Sequence, residues 1–262
     1  MYKNSAIAFI IIFFVLCVNS IHGQLIENGL VSYWSFDDSS IDGETLKDLV
    51  GGNNGKIMGD PEIVEGMVNE GLYLDGNRDY VEVPDSENLH ITEELTICLW
   101  LKWISTIDDW PAIFEKGDDN GMNYYFGIWQ LSNELYFTFT PAWQDRRSGL
   151  MVKDNDWSYI AVRVDGPEGI LNFFVDGNVS ADVALGFNEL PDTDTGALIG
   201  AQTAKGADLH AVVDELCVYN RVLSDDELEQ NQTAKGNAAV DMDSVIPLIW
   251  GKIKTGYSGN VR

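Results

Sequence analysis

The sequence predicts an all-β chain: a two-sheet antiparallel β-sandwich (jelly roll) with one short C-terminal helix. Three observations predict it. Hydrophobic residues recur with period two in many short runs, and turn residues separate those runs. The chain is also long enough, at 262 residues with 45% hydrophobic and 11% aromatic content, to fill a core between two sheets. No internal repeat interrupts the pattern, which runs from Gly29 to about Asn231.

Each strand is read from its alternation. Leu30, Ser32, Trp34 and Phe36 are expected on one face of the first strand. Leu135, Phe137 and Phe139 alternate with Tyr136 and Thr138. Ile160, Val162 and Val164 alternate with Ala161 and Arg163, and Leu171, Phe173 and Val175 with Asn172 and Phe174. Tyr125 and Trp129 have even spacing and so share a strand face. Asp176-Gly177 favours a tight hairpin turn. Gly51 to Gly55, Asp118 to Gly121 and Asp165-Gly166-Pro167 read as loops.

One helix is expected near the end. Ser224 followed three residues later by Glu227 is a capping-box signature, and Asp225 and Asp226 suit a first turn, where the helix dipole favours negative charge.

The two ends differ from the body. Lys3 followed by the apolar run Ala6–Val18, with small residues at Ser20 and Gly23, reads as a secretory signal peptide over 1–23, leaving Gln24 as the new N-terminus. This implies a secreted or cell-surface protein, with no membrane insertion once the signal is cleaved. Residues 235–262 carry four basic and two acidic residues and the apolar cluster Val245-Ile246-Pro247-Leu248-Ile249-Trp250. They read as a cationic, mostly flexible tail with a weak docking motif.

The net charge is -26, from 16 basic against 42 acidic residues, and -27 once Lys3 leaves with the signal. Such a surface repels nucleic acid and anionic membranes and suits cation binding. Cys17 also leaves with the signal, so Cys98 and Cys217 remain. In an oxidising compartment they form either one disulfide or two buried thiols, since a bridge requires Cα atoms within about 7 Å. Asn178-Val179-Ser180 and Asn231-Gln232-Thr233 are glycosylation sequons.

Several motifs, in order, carry a family resemblance. The stretches are Gly29–Asp37, Gly71–Val81, Leu95–Lys102, Trp157–Val162 with Leu171–Gly177, and Asp214–Ser224. Together they resemble the laminin G-like jelly-roll domains of the concanavalin A-like lectin/glucanase superfamily, and place that domain at 24–234. The resemblance implies two antiparallel sheets packed face to face, commonly a structural Ca²⁺, and often a glycan-binding concave face. It implies that Asp37 and Asp214 supply carboxylates to the ion, with carbonyls from the loop starting at Gly76 and the carboxylate of Asp79. Arg78 stands where the family often has an aspartate.

Related glycanases place two or three carboxylates at alternating positions of one strand, and no such pattern occurs here. Retaining hydrolysis needs two carboxyls about 5–5.5 Å apart. His90 and His210 stand apart from any serine or cysteine elbow, so no catalytic triad is suggested. No catalytic residue is assigned. Sugars stack on aromatic rings while polar groups fix their hydroxyls. The ligand-binding candidates are therefore Tyr125, Trp129 and Trp143, with Arg146 as a donor. The expected function is a secreted, non-catalytic, Ca²⁺-stabilised module that binds an extracellular glycan or glycoprotein. The alternatives are a protein-interaction domain assembled through its tail and, third, a polysaccharide-degrading enzyme.

Overall fold

A computed structural model of the chain describes residues 23–105, 110–117, 124–129, 132–140, 145–192, 194–202 and 208–234. Residues 1–22 of the expected signal segment 1–23, the expected tail 235–262 and Trp143 lie outside the described residues.

The strands run in chain order. The first seven are β1 (Leu30–Trp34), β2 (Ile41–Asp42), β3 (Thr45–Leu46), β4 (Gly55–Met58), β5 (Glu62–Glu65), β6 (Glu70–Asp75) and β7 (Tyr80–Val83). Then come β8 (Glu94–Ser105), β9 (Ala112–Lys116), β10 (Tyr124–Trp129), β11 (Glu134–Phe139), β12 (Arg146–Met151) and β13 (Trp157–Asp165). The last are β14 (Ile170–Val175), β15 (Asn178–Val179), β16 (Val183–Ala184), β17 (Ala197–Ile199) and β18 (His210–Tyr219), with the helix α1 (Asp225–Thr233) after them.

They form two antiparallel sheets of nine strands each. The first runs β15-β14-β13-β8-β18-β6-β5, with β1 also on β18 and β16 also on β14. The second runs β12-β11-β10-β9-β17-β7-β4-β3-β2. Alternation decides what each strand buries. Ile160, Val162, Val164, Leu171, Phe173, Leu135, Phe137 and Phe139 all enter the core between the sheets. Their intervening neighbours face outward. Ala161 and Phe174 join a second cluster on the outer face of the first sheet, and Tyr136 joins one on the outer face of the second.

The β1 reading is corrected at its first residue. The β1–β18 register slips between Leu30 and Ser32. Val31, not Leu30, therefore shares the core with Trp34 and Phe36, while Leu30 packs beside the outer cluster. An extra residue in one strand inverts the alternation beyond it.

The capping box at α1 forms as expected. Ser224 Oγ accepts from Glu227 N (3.2 Å) and Glu227 Oε2 accepts from Ser224 N (2.8 Å). Leu223 and Leu228 lay the helix on the outer face of the first sheet, over Cys98, Trp100 and Tyr219. The residues just past the expected cleavage point join it there. Leu25 is buried, Gln230 Nε2 donates to the Gln24 carbonyl (2.7 Å), and Asn231 Oδ1 accepts from Ile26 N (2.9 Å). Asn231 is 3% exposed and hydrogen-bonded to Ile26 and Tyr219, a packing that leaves no room for a glycan, whereas Asn178 is exposed at its hairpin. No helix among the described residues is long and apolar enough to cross a membrane.

Candidate functional site

The first candidate site is an acidic corner created by the topology of β18. Its far half, Leu216 to Tyr219, pairs with β1, and its near half, His210 to Val213, pairs with β6. β1 and β6 thus lie end to end along one edge of β18, and Asp214-Glu215 sit at the junction. The β18–β8 register shifts between Asp214 and Cys217, and Glu215 takes a left-handed φ of 55°. This bulge carries Asp214 and Glu215 to the same side.

Asp214 is fully buried. Its Oδ2 accepts from Val68 N at 2.8 Å, while Oδ1 is buried without a partner among the described residues. Burial, with the Glu215 and Asp37 charges nearby, pushes its carboxyl up to about 8. Glu215 faces the Tyr33 hydroxyl, 2.9 Å from Oε1 and 2.8 Å from Oε2. Burial and Asp37 raise its carboxyl to about 7 against the lowering effect of that hydrogen bond. Asp37 lies just past β1 and is tied to the start of β6, where its Oδ1 accepts from Glu70 N (3.1 Å). The half-buried Asp37 and the buried Asp214 and Glu215 therefore lie near enough for their charges to act on one another, with one buried acceptor unmet. The three do not bring ligand atoms within 4.8 Å of one another, as Asp85, His90 and Asp194 do. An all-oxygen donor set of this charge is that of a hard divalent cation.

Gly76 and Asp79 are elsewhere. Asp75, which precedes Gly76, pairs with His210, whereas Gly71 adjoins Asp214. The two groups occupy opposite ends of β6, about 17 Å apart at the rise of a strand. Asp79 Oδ1 accepts from Asp60 N (3.0 Å) and Oδ2 from Asp75 N (3.2 Å). Both oxygens thus brace the loop, and burial raises its carboxyl above the usual value. Asp37 and Asp214 lie near enough for their charges to interact, and Asp214 stands at the other end of β6 from Gly76 and Asp79. Glu215 takes the place in the corner. Strict alternation hides it, since it would point Glu215 away from Asp214.

The second candidate site lies on the outer face of the second sheet. Tyr125 and Trp129 do share that face, with Tyr136, Trp110 and Ala112. Trp110 and Trp129 meet edge to face at 4.3 Å between centroids, and each lies 5.7 Å from Tyr136. Tyr125 is fully buried and its hydroxyl donates to the Trp110 carbonyl, whereas Trp129 is partly exposed. Tyr125 is therefore a support for the cluster, and Trp129 offers surface. The Thr138 hydroxyl, opposite Tyr125, is buried without a partner among the described residues.

Arg146 does not belong to this cluster. Its Nε and Nη2 donate to the Ala184 and Leu185 carbonyls (2.7 and 2.6 Å), which fixes it against β16 and the residue after it. The next residue along β12 points the other way, as strand period requires. Arg147 lies 4.6 Å over the Trp129 ring and pairs with Glu134. It supplies the donor expected from Arg146.

Cys98 and Cys217 are direct cross-strand partners of β8 and β18, and both are buried free thiols. The histidines are less isolated than their sequence positions suggest. His90 lies between Asp85 (Nε2, 3.0 Å) and Asp192 (Nδ1, 3.2 Å), and His210 Nε2 meets the Tyr73 hydroxyl at 3.1 Å. Asp85, His90 and Asp194 bring one ligand atom each within 4.8 Å of one another. The buried Lys116 ammonium, 3.7 Å from Asp85, already supplies a positive charge there.

Residues 75–229 match a family model described as the concanavalin A-like lectin/glucanases superfamily, of the laminin G type. Among curated proteins, the non-toxic nonhemagglutinin type D of Clostridium botulinum D phage is 28% identical over 128 residues, which are 47% of this chain and 10% of that protein. The chain therefore spans only a small part of that relative. Among solved structures, domain 4 of AbnA, a GH43 extracellular arabinanase from Geobacillus stearothermophilus, solved with arabinotriose, has a TM-score of 0.63 at 19% identity. The alignment covers 78% of this chain and 98% of that one. The binding domain of Paraclostridial Mosquitocidal Protein 1 has a TM-score of 0.62 at 15% identity, covering 77% of this chain and 51% of that one. At these identities the likeness establishes a shared sandwich and leaves the ligand open.

Proposed function

Because the chain belongs to the concanavalin A-like lectin/glucanases superfamily, we propose that it is a secreted, non-catalytic module that binds an extracellular glycan, stabilised by Ca²⁺. One observation carries the glycan reading: the partly exposed Trp129, held edge-on by Trp110 and Tyr136 and flanked by Arg147 and Glu134. An aromatic face with a donor and an acceptor beside it is the chemistry that recognises a sugar ring and its hydroxyls. The likeness to a domain solved with arabinotriose supports the same class of ligand.

The pair Glu115 and Glu134 of the same face does not suit hydrolysis. They are its carboxylates on β9 and β11, while the charge of Asp145, just before β12, also acts on Tyr125 and Tyr136. Glu115 is level with Tyr125 and Glu134 with Trp129, two strands and four residues apart. Strand geometry puts them about 16 Å from each other, beyond the roughly 5–9.5 Å that either stereochemical course of glycoside hydrolysis needs.

Asp214 Oδ1, Glu215 and Asp37 would hold the Ca²⁺, whose role is to neutralise a buried acidic junction between β1, β6 and β18. Secretion is supported by the leader-like composition of residues 1–23. A glycan array of plant, microbial and animal oligosaccharides tests the central claim, run with Ca²⁺ and with chelator. Binding to at least one class, weakened in Trp129→Ala, is expected. The absence of any hit in both conditions overturns the glycan reading.

A further inference from the structure

Among the described residues, the outer face of the first sheet is only half covered. α1 and residues 23–28 lie over the rows of Cys98 and Trp100. Beyond them an open groove of about 680 Å³ continues across the sheet to β5, the edge strand. Val64, Met67 and Trp157 give it an apolar floor and wall, and Glu62 and Glu65 give it a negative rim at β5, with Lys102 the one cation among its lining residues. Both glutamates are exposed, and Met67 is 48% exposed.

The helix leads towards this groove. Leu223 N, just before α1, donates to Thr96 Oγ1 (3.1 Å), and Asn231 Nδ2 lies 3.9 Å from Cys98 Sγ. The helix therefore advances along β8 from Thr96 to Cys98, in the direction of Trp100 and Lys102. Ala234, the last described residue, is 3% exposed and belongs to the same outer cluster as Trp100, with Trp157 packed beside it. Trp157 pairs with Lys102, and both line the groove. The chain beyond Ala234 starts within a few residues of that opening.

The sequence of that segment matches the groove chemically. After a ten-residue spacer come the apolar Val245-Ile246-Pro247-Leu248-Ile249-Trp250 and then Lys252 and Lys254. The spacer reaches up to about 36 Å when extended, while Trp100 and Lys102 are about 7 Å apart along their strand. Residues 235–262 carry a net +2, against -29 for residues 24–234. Tethering gives such a segment an effective concentration in the millimolar range, so even a weak fit is occupied.

We propose that residues 245–254 dock in this groove of their own chain. Trp250 and its apolar neighbours cover Val64, Met67 and Trp157, and Lys252 and Lys254 pair with Glu62 and Glu65. The segment extends the cover that α1 begins, and shields the free edge at β5.

Amide hydrogen exchange on the chain from Gln24 through Arg262 tests this at two protein concentrations tenfold apart. Amides of 245–254 are expected to exchange at least tenfold more slowly than in Trp250→Ala. A Glu62→Lys, Glu65→Lys variant is expected to lose the same protection, and adding Lys252→Glu and Lys254→Glu to it to restore most of it. Exchange of 245–254 at the rate of an unstructured chain overturns the proposal. So does protection that the Glu62 and Glu65 changes leave intact. Protection that vanishes on dilution, with a dimer mass at the higher concentration, assigns the groove to a second copy instead.

Discussion

Asp214 and Glu215 are consecutive residues of one strand, yet their side chains lie on the same side of the sheet. Glu215 reaches Tyr33 and Asp214 reaches the backbone of Val68, and their charges act on each other. The cause is the bulge at Glu215, whose left-handed φ of 55° interrupts the alternation of β18. Leu216 and Val218 then return to the core with Val213. A non-glycine residue in this region costs of order 1 kcal/mol or more, and such strain clusters at functional sites. Here it assembles two buried carboxylates beside a third, Asp37.

Ca²⁺ is therefore expected to raise the thermal midpoint, since an ion bound only to the folded chain stabilises it by mass action. Asp214→Asn and Asp37→Asn should remove that dependence. In chelator, Asp214→Asn should melt no lower than the parent chain near pH 7, because it removes the cost of protonating a buried carboxyl along with the ligand. Differential scanning calorimetry with Ca²⁺ and with chelator reads all three. A midpoint indifferent to Ca²⁺ in the parent chain would exclude the ion from this corner.

In chelator the same residues set a pH dependence whose sign is fixed by their shifts. The Asp214 and Glu215 carboxyls are raised to about 8 and about 7 in the folded chain. In the unfolded chain they titrate near 3.9 and 4.3. Between those values the folded state holds more protons, so stability falls as pH rises. Their contribution is fully present below about pH 4 and is lost on passing pH 7 to 8. Melting across pH 5 to 8.5 should show this decline, and Asp214→Asn should flatten it. A midpoint that rises over that range in chelator contradicts the assignment.

The sandwich is legible in the sequence because its strands alternate. The core faces of β11, β13 and β14 come directly from period two, and α1 comes from Ser224 and Glu227. What alternation misplaces lies at departures from it. The slip at Leu30/Ser32 exchanges Leu30 for Val31, and the bulge at Glu215 conceals a third acid. Arg146 stands out by its place beside an aromatic loop, but a one-residue difference decides which side of β12 an arginine occupies. Gly76 and Asp79 are grouped with Asp37 and Asp214 by resemblance alone, and the length of β6 separates them.

Trp129→Ala is expected to weaken glycan binding about fivefold, in keeping with about 1 kcal/mol for one aromatic contact. Trp129 is partly exposed, so the thermal midpoint should change little. Tyr125→Ala should instead lower the midpoint, because that ring is buried under the cluster and holds the Trp110 carbonyl. Titration calorimetry against the best array ligand, with melting of both variants, separates the two roles. Equal affinity in Trp129→Ala would move the site off this face.

Cys98 and Cys217 should resist a water-soluble thiol reagent in the folded chain and react, both together, in denaturant. They are 0% and 1% exposed, and α1 covers them, with Asn231 Nδ2 against Cys98 Sγ. Their strands hold them at cross-strand distance, within the Cα separation that a bridge spans, so the thiol count decides between the two states. Mass spectrometry after labelling in denaturant should count two modified thiols. A count of zero without reductant would reveal a disulfide.

At the start of α1, Arg221 grips Glu227 with two hydrogen bonds, Nη1 to Oε2 at 2.9 Å and Nη2 to Oε1 at 2.8 Å. That pairing is the largest cause lowering the Glu227 carboxyl to about 2, aided by the Ser224 backbone. A depressed carboxyl contributes stability above its unfolded value near 4.3 and loses it as pH falls towards 2. Ser224→Ala should cost about 1 kcal/mol, the usual worth of an N-cap, and lower the midpoint by roughly 2–4 °C. Glu227→Gln should lower it at pH 7 and have less effect at pH 2.5, where the unfolded chain's carboxyl is already protonated and most of the depressed carboxyl's contribution has been lost. Thiol reactivity of Cys98 reports the same event locally, because loosening α1 uncovers it. If Glu227→Gln melts as the parent does at pH 7 and leaves Cys98 protected, Arg221 and the outer cluster hold the helix without the capping box.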